Sequence, residues 1–205
     1  MDLTTFFLRL HATVHAGDVS EGQTPTVERW LGGLSDAQMR ARPGTDMNSI
    51  VWLLWHMART EDAAVNLVVH AGRQVLDDAW ARRMRIDHRD IGTGMTEAEV
   101  AAVTSGADVP AVWAYRSAVG IQTRAVVREL SPGAWAETIG AEDIGRAARA
   151  GAFRGDVSPL VAAGRHPWQG HTRADQLGSS AIRHNSGHIG EAVTVRSLGG
   201  FGVGI

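Results

Sequence analysis

The sequence predicts an all-α protein: a four-helix bundle with extra short helices and long loops, in one domain over residues 1–205. Two observations carry this. Four long stretches, near 3–16, 49–71, 109–130 and 172–198, place apolar residues at helical spacing. The segments between them carry helix caps, glycines and prolines, with no internal repeat and no break that would mark a second domain.

The first stretch sets Leu3, Phe6, Phe7 and Leu10 on one stripe before Gly17 and Gly22 interrupt it. A second piece over roughly 24–34 turns Val27, Trp30, Leu31 and Leu34 inward, and Ser35 with Gln38 forms a capping box for a further short turn. Asn48 is placed to cap the helix over 49–71, and Gly72 to end it. Its run from Ile50 to Ala58 is apolar on every side, which predicts packing over most of its surface. A helical piece follows from Leu76 to Met84, then a glycine-bearing loop over 87–95. Thr96 and Glu99 box the start of a helix over 97–104; Asp108 caps the next, with Pro110 in its first turn, where a missing N–H costs little. Residues 131–171 are irregular, with a weak helix at 141–150. Such length without regular structure is usually functional. Thr172 and Asp175 open the last helix, and Gly199-Gly200 stops it.

Composition excludes several function classes. With 44% hydrophobic and 20% charged residues the chain reads as soluble and globular, and a net charge of −2 gives no footprint for nucleic acid. The absence of cysteine removes disulfides, thiolate metal sites and a cysteine nucleophile, and fits the cytoplasm. No apolar run approaches the ~18–20 residues that span a membrane, and the N-terminus lacks the layout of a signal peptide. All twenty basic residues are arginine, which we read as GC-rich genome bias.

The chemistry-bearing residues are histidines. At about 100° per residue, Leu177, Ala181, His184, His188, Glu191 and Val195 share one stripe of the last helix, apolar at both ends and polar in the middle. His56 lies among Ser49, Trp52, Thr60, Ala63 and Leu67 on a similar face. Buried imidazoles need partners, and three of them with an open fourth position form a catalytic zinc arrangement; nickel, iron and copper suit the same donors. A second pair, His11 and His15, has the same spacing but exposed-looking company in Thr4 and Asp18, and reads as surface or simple packing. Gly187 and Gly190 weaken the last helix or let a neighbour approach closely. There is no His-Glu-x-x-His, no helical Glu-x-x-His, no phosphate loop and no Gly-x-Ser-x-Gly elbow.

The segment from Asn48 to Asp62, joined to the late His184-x-x-x-His188-x-Gly190-Glu191, resembles the DinB-like (DinB/YfiT) superfamily of metalloenzymes. The resemblance implies a four-helix bundle whose divalent metal, zinc or nickel, is held by His56, His184 and His188. It also implies thiol-dependent transfer or isomerisation with a low-molecular-weight thiol such as mycothiol or bacillithiol; the GC-rich bias suits an actinobacterial source, where mycothiol is the thiol. On this reading Glu191 orients a ligand or acts as a base. Arg59 and Arg183, near the ligands in sequence, bind an anionic group. Competing readings are a metal-dependent hydrolase and a metal-stabilised binding or stress-response module. The expected partners are a small-molecule substrate and a second copy in a homodimer, with no nucleic acid and no membrane.

Overall fold

The computed structural model describes residues 1–20, 22, 24–44 and 46–202. Four rods form the bundle. They are α1 (Leu3–Val14), α4 (Ile50–Asp62, running on as a π-helical segment Ala63–Val69), α7 (Val109–Glu129), and α10 (Arg173–Leu177) joined through a second π segment, Gly178–Arg183, to α11 (His184–Leu198). Between them lie the short helices α2 (Thr26–Leu31), α3 (Asp36–Arg40), α5 (Asp78–Met84), α6 (Glu97–Gly106), α8 (Ala141–Arg149) and α9 (Ser158–Ala162). Among the described residues there is no strand, only an isolated bridge between Thr138 and Thr172. No helix among them is long and apolar enough to cross a membrane.

α4 is the axis of the bundle. Every residue from Ile50 to Asp62 is buried, and α4 packs most extensively against α7, then against α11. Trp55, Leu53, Leu54 and Met57 are fully enclosed. Each such side chain contributes roughly 1.5–3 kcal/mol by leaving water. The loop over 87–95 closes on this helix through Gly92, whose φ is 85°. A Cβ there would stand 2.7 Å from the Trp55 ring, so only glycine allows this approach.

The capping boxes at Ser35–Gln38, Thr96–Glu99 and Thr172–Asp175 form as the sequence predicts, and Asp108 caps α7. Three local expectations are corrected. Ser49, not Asn48, caps α4, its hydroxyl accepting from the Trp52 N–H at 3.3 Å. At the far end the wider π turn closes with His70 N–H donating to the Val65 carbonyl, so the left-handed residue is Ala71 (φ 58°) and not Gly72. Gly187 and Gly190 admit no neighbouring helix, since a Cβ at either would meet open space.

These two glycines therefore weaken α11 without a packing return. Gly187→Ala and Gly190→Ala are each expected to stabilise the protein by ~0.5–1 kcal/mol, raising Tm by about 2–4 °C per kcal/mol at this size. Thermal unfolding followed by circular dichroism checks this; a lowered Tm in either variant would show that the open space is needed.

Candidate metal centre

α4 and α11 bring the three predicted histidines together. The ring centroids of His56 and His184 are 4.9 Å apart, those of His56 and His188 4.9 Å, and those of His184 and His188 4.5 Å. Each ring offers a nitrogen within 4.8 Å of those of the other two, close enough to share one ion. Trp52, one turn before His56, stacks on its ring at 4.8 Å and 16°. His184 follows directly on the π segment Gly178–Arg183, a distortion common at functional sites.

What the far ring nitrogens do decides the chemistry. His56 Nδ1–H donates to the Ile91 carbonyl, in the loop that Gly92 presses onto Trp55. His188 Nδ1–H donates to Glu191 Oε2 at 2.7 Å, and Glu191 Oε1 accepts from Asn48 Nδ2 at 3.2 Å. Protons held on Nδ1 leave lone pairs on the Nε2 atoms of His56 and His188, as a metal ligand requires. His56 Nε2 and His184 Nε2 face each other at 3.1 Å, and His184 Nδ1 is buried without a partner. Burial lowers the His56 pKa to about 4, against the Ile91 carbonyl, which raises it. Burial, then the neighbouring His56 and His188, lower that of His184 to about 3. Both rings are thus neutral at pH 7, the state that binds metal. The hydrogen bond from His188 holds the Glu191 pKa down, so Glu191 stays an ionised acceptor.

A second group meets the same distance test: His11, His15 and Glu61, all fully buried. Of the two alternatives for His11 and His15, surface or simple packing, the first is corrected here, because Glu61 of α4 draws both rings inward. His11 Nε2–H donates to Glu61 Oε1 at 2.9 Å, and Thr123 and Asn185 donate to the same carboxylate at 2.7 and 2.8 Å. The Ala16 N–H donates to His15 Nδ1, which places the ring proton on Nε2, 3.5 Å from Glu61 Oε2. A Cβ at Gly120 of α7 would stand 2.4 Å from this ring, so glycine makes room for it. His11 spends its N–H on the carboxylate and His15 turns Nε2 toward it, whereas in the first triad the N–H groups of His56 and His188 point outward and His56 Nε2 accepts from His184 Nε2–H. The hydrogen bonds therefore favour the His56 triad as the metal site and make the second a buried charge clamp. The clamp also steadies the histidine triad, because Asn185 is the neighbour of His184 and is gripped by Glu61 and by Arg116 at 2.9 Å.

Of the two predicted arginines, Arg59 turns into the fold and Arg183 stays at the surface. Arg59 is fully buried and directs its donors to Asp62 (3.1 Å), Tyr115 (3.3 Å), Gln74 (3.3 Å) and the Arg89 carbonyl (2.7 Å). Its expected role toward an anion is thereby corrected: these donors are spent inside the fold. Arg183 is exposed, on the π segment before His184. Four contributors were missed by the sequence reading. The Ile91 carbonyl has no side-chain signature, and Trp52 shares the His56 face in the sequence without announcing that it stacks on the ring. Asn48 was read as a cap, although an amide preceding an apolar helix is also free to reach outward. Glu61 had a signal, as half of an acidic pair in an otherwise apolar helix.

A sequence profile described as the DinB superfamily matches residues 21–154, a span that contains His56 and ends before His184 and His188. Among solved structures, a conserved protein from Enterococcus faecalis superposes with a TM-score of 0.68 at 21% identity, covering 97% of each chain. That likeness shows the fold alone. No curated protein matches the chain.

The clamp makes stability pH-dependent. Burial lowers the His15 pKa well below 6.5, more than Glu61 raises it. The unfolded chain thus takes up a proton below about pH 6.5 that the folded chain does not, and stability falls as pH drops through that value. Burial alone would raise the Glu61 pKa, but His15, His11 and Arg116 together hold it below 4.5, so its contribution is complete above that pH and lost below it. Urea midpoints of the metal-free protein are expected to fall steadily from pH 7.5 to pH 4, and Glu61→Gln is expected to cost ~3–5 kcal/mol at pH 7.5. A flat pH profile, or a Glu61→Gln variant as stable as the wild type, would contradict the clamp.

Proposed function

The chain belongs to the DinB superfamily, and on that premise we propose that it is a cytoplasmic metal-dependent enzyme in which His56, His184 and His188 hold one divalent ion, zinc before nickel. We assign it thiol-dependent S-transfer or isomerisation, with a low-molecular-weight thiol of the mycothiol type as co-substrate. One observation carries the metal part: Nδ1–H of His56 and of His188 are each bonded to an acceptor outside the triad, so both rings turn an Nε2 lone pair toward it. The thiol part is supported by the resemblance of the His56 and His184-x-x-x-His188 motifs to thiol-using branches of the superfamily.

His56, His184 and His188 would hold the ion, which would supply Lewis acidity and lower the pKa of a thiol bound to it. The chain's own groups do the rest. The Ile91 carbonyl fixes the tautomer and tilt of His56, and Trp52 covers one face of that ring. Glu191 is a positioning residue, because Oε2 is spent on His188 and Oε1 on Asn48, so it raises the basicity of His188 and is not free to serve as a base.

Elemental analysis of the purified protein is expected to find about one divalent ion per chain, lost in His56→Ala. Glu191→Gln is expected to weaken metal binding about 10–100-fold. With a panel of mycothiol, bacillithiol and glutathione, an electrophile should turn over only when a thiol is present. Turnover without thiol would overturn the transferase reading in favour of hydrolysis; a chain that takes no metal would overturn the centre itself.

A further inference from the structure

A cleft of about 310 Å³ lies between the loop that carries Ile91 and the excursion carrying Phe153, Arg154, His166 and Trp168. That volume is at the small end for small-molecule sites. The aromatic wall is built as a unit: Phe153 packs on His166 at 4.7 Å and on Trp168 edge-to-face at 5.1 Å. Arg154 would attract an anion, but its guanidinium is held by Glu99 at 2.7 Å and lies 3.6 Å from Asp90, so the wall offers no free positive charge. His166 is only 7% exposed, and its Nδ1 accepts the Trp168 N–H at 3.3 Å. The ring proton then sits on Nε2, which makes no hydrogen bond among the described residues. Burial lowers the pKa of this ring, so it is present as a neutral donor. The cleft is joined to the metal centre through one residue: the Ile91 side chain lines it, the Ile91 N–H bonds to the Ala152 carbonyl at 2.9 Å, and the Ile91 carbonyl holds His56.

We propose that this cleft binds the uncharged end of the substrate, an aryl or short alkyl group bearing a carbonyl or ether oxygen that accepts a hydrogen bond from His166 Nε2–H. Its role as a substrate site rests on the metal-centre reading above. The aromatic edges and faces supply the apolar contact, and the single donor selects a neutral oxygen over a hydrocarbon. A carboxylate gains nothing from Arg154 and must shed its water to enter.

The test is a ¹H–¹⁵N NMR titration of the full chain with acetophenone, with α-methylstyrene (the same shape with a methylene in place of the oxygen) and with benzoate. Zinc binding is measured first on the same sample. Acetophenone is expected to give saturable shifts in residues 91–93 and 153–168, binding about fivefold tighter than α-methylstyrene, as one neutral hydrogen bond allows, and tighter than benzoate. His166→Phe keeps an aromatic ring and should erase the preference for acetophenone. Trp168→Ala should weaken both neutral probes about tenfold. Shifts that do not saturate, that map elsewhere, or that keep the acetophenone preference in His166→Phe overturn the proposal. Zinc binding without probe binding overturns the cleft alone. Probe binding in a chain that takes no zinc overturns its role as a substrate site, together with the metal centre.

Discussion

The constraint on which this structure depends is that α4 has no face toward water. A helix enclosed on every side must find protein partners for the charged and imidazole side chains it carries, because an unpaired buried polar group costs ~1–3 kcal/mol and a charge costs more. α4 carries His56, Arg59, Glu61 and Asp62, all buried. Asp62 collects the N–H groups of Val75 and Leu76 at 2.8 and 2.9 Å, the Tyr115 hydroxyl at 2.6 Å and Arg59. Glu61 collects α1, α7 and α11 through His11, Thr123 and Asn185. His56 takes the Ile91 carbonyl and faces His184. The bundle is thus arranged by what one helix needs as much as by apolar packing.

Two buried histidine groups emerge from that arrangement, alike in spacing and opposite in polarity. Around Glu61, His11 donates to the carboxylate and His15 turns Nε2 toward it at 3.5 Å. Around His56 the donors point outward, to Ile91 and Glu191, and acceptor lone pairs remain inside. Proximity alone does not separate a metal site from an ion clamp; the bond made by the other ring nitrogen does. The two groups are coupled through adjacent residues of α11, since His184 belongs to the first and Asn185 to the second.

The bundle was legible in the sequence from periodicity, whereas the grouping of His56 with His184 and His188 rested on the family resemblance as well as on the stripes. His184, His188 and Glu191 project to one face whatever the rest of the chain does, and the all-apolar run at Ile50–Ala58 announces a buried helix. What was not legible depended on distant partners. His11 and His15 resembled a surface pair because their acceptor, Glu61, comes 50 residues after His11. Arg59 stood near a ligand in sequence, but Asp62 and Tyr115 capture it inside the fold. The Ile91 carbonyl carries no side-chain identity at all, and only Gly92, the residue its approach requires, left a trace.

The central claim is that His56, His184 and His188 share one divalent ion. Anomalous diffraction at the zinc edge, on crystals grown with zinc, tests it most directly. A single strong peak within about 2.0–2.1 Å of Nε2 of His56 and of His188, and of one ring nitrogen of His184, is the predicted result. A peak between His11, His15 and Glu61 instead, or none at the first triad, would contradict it.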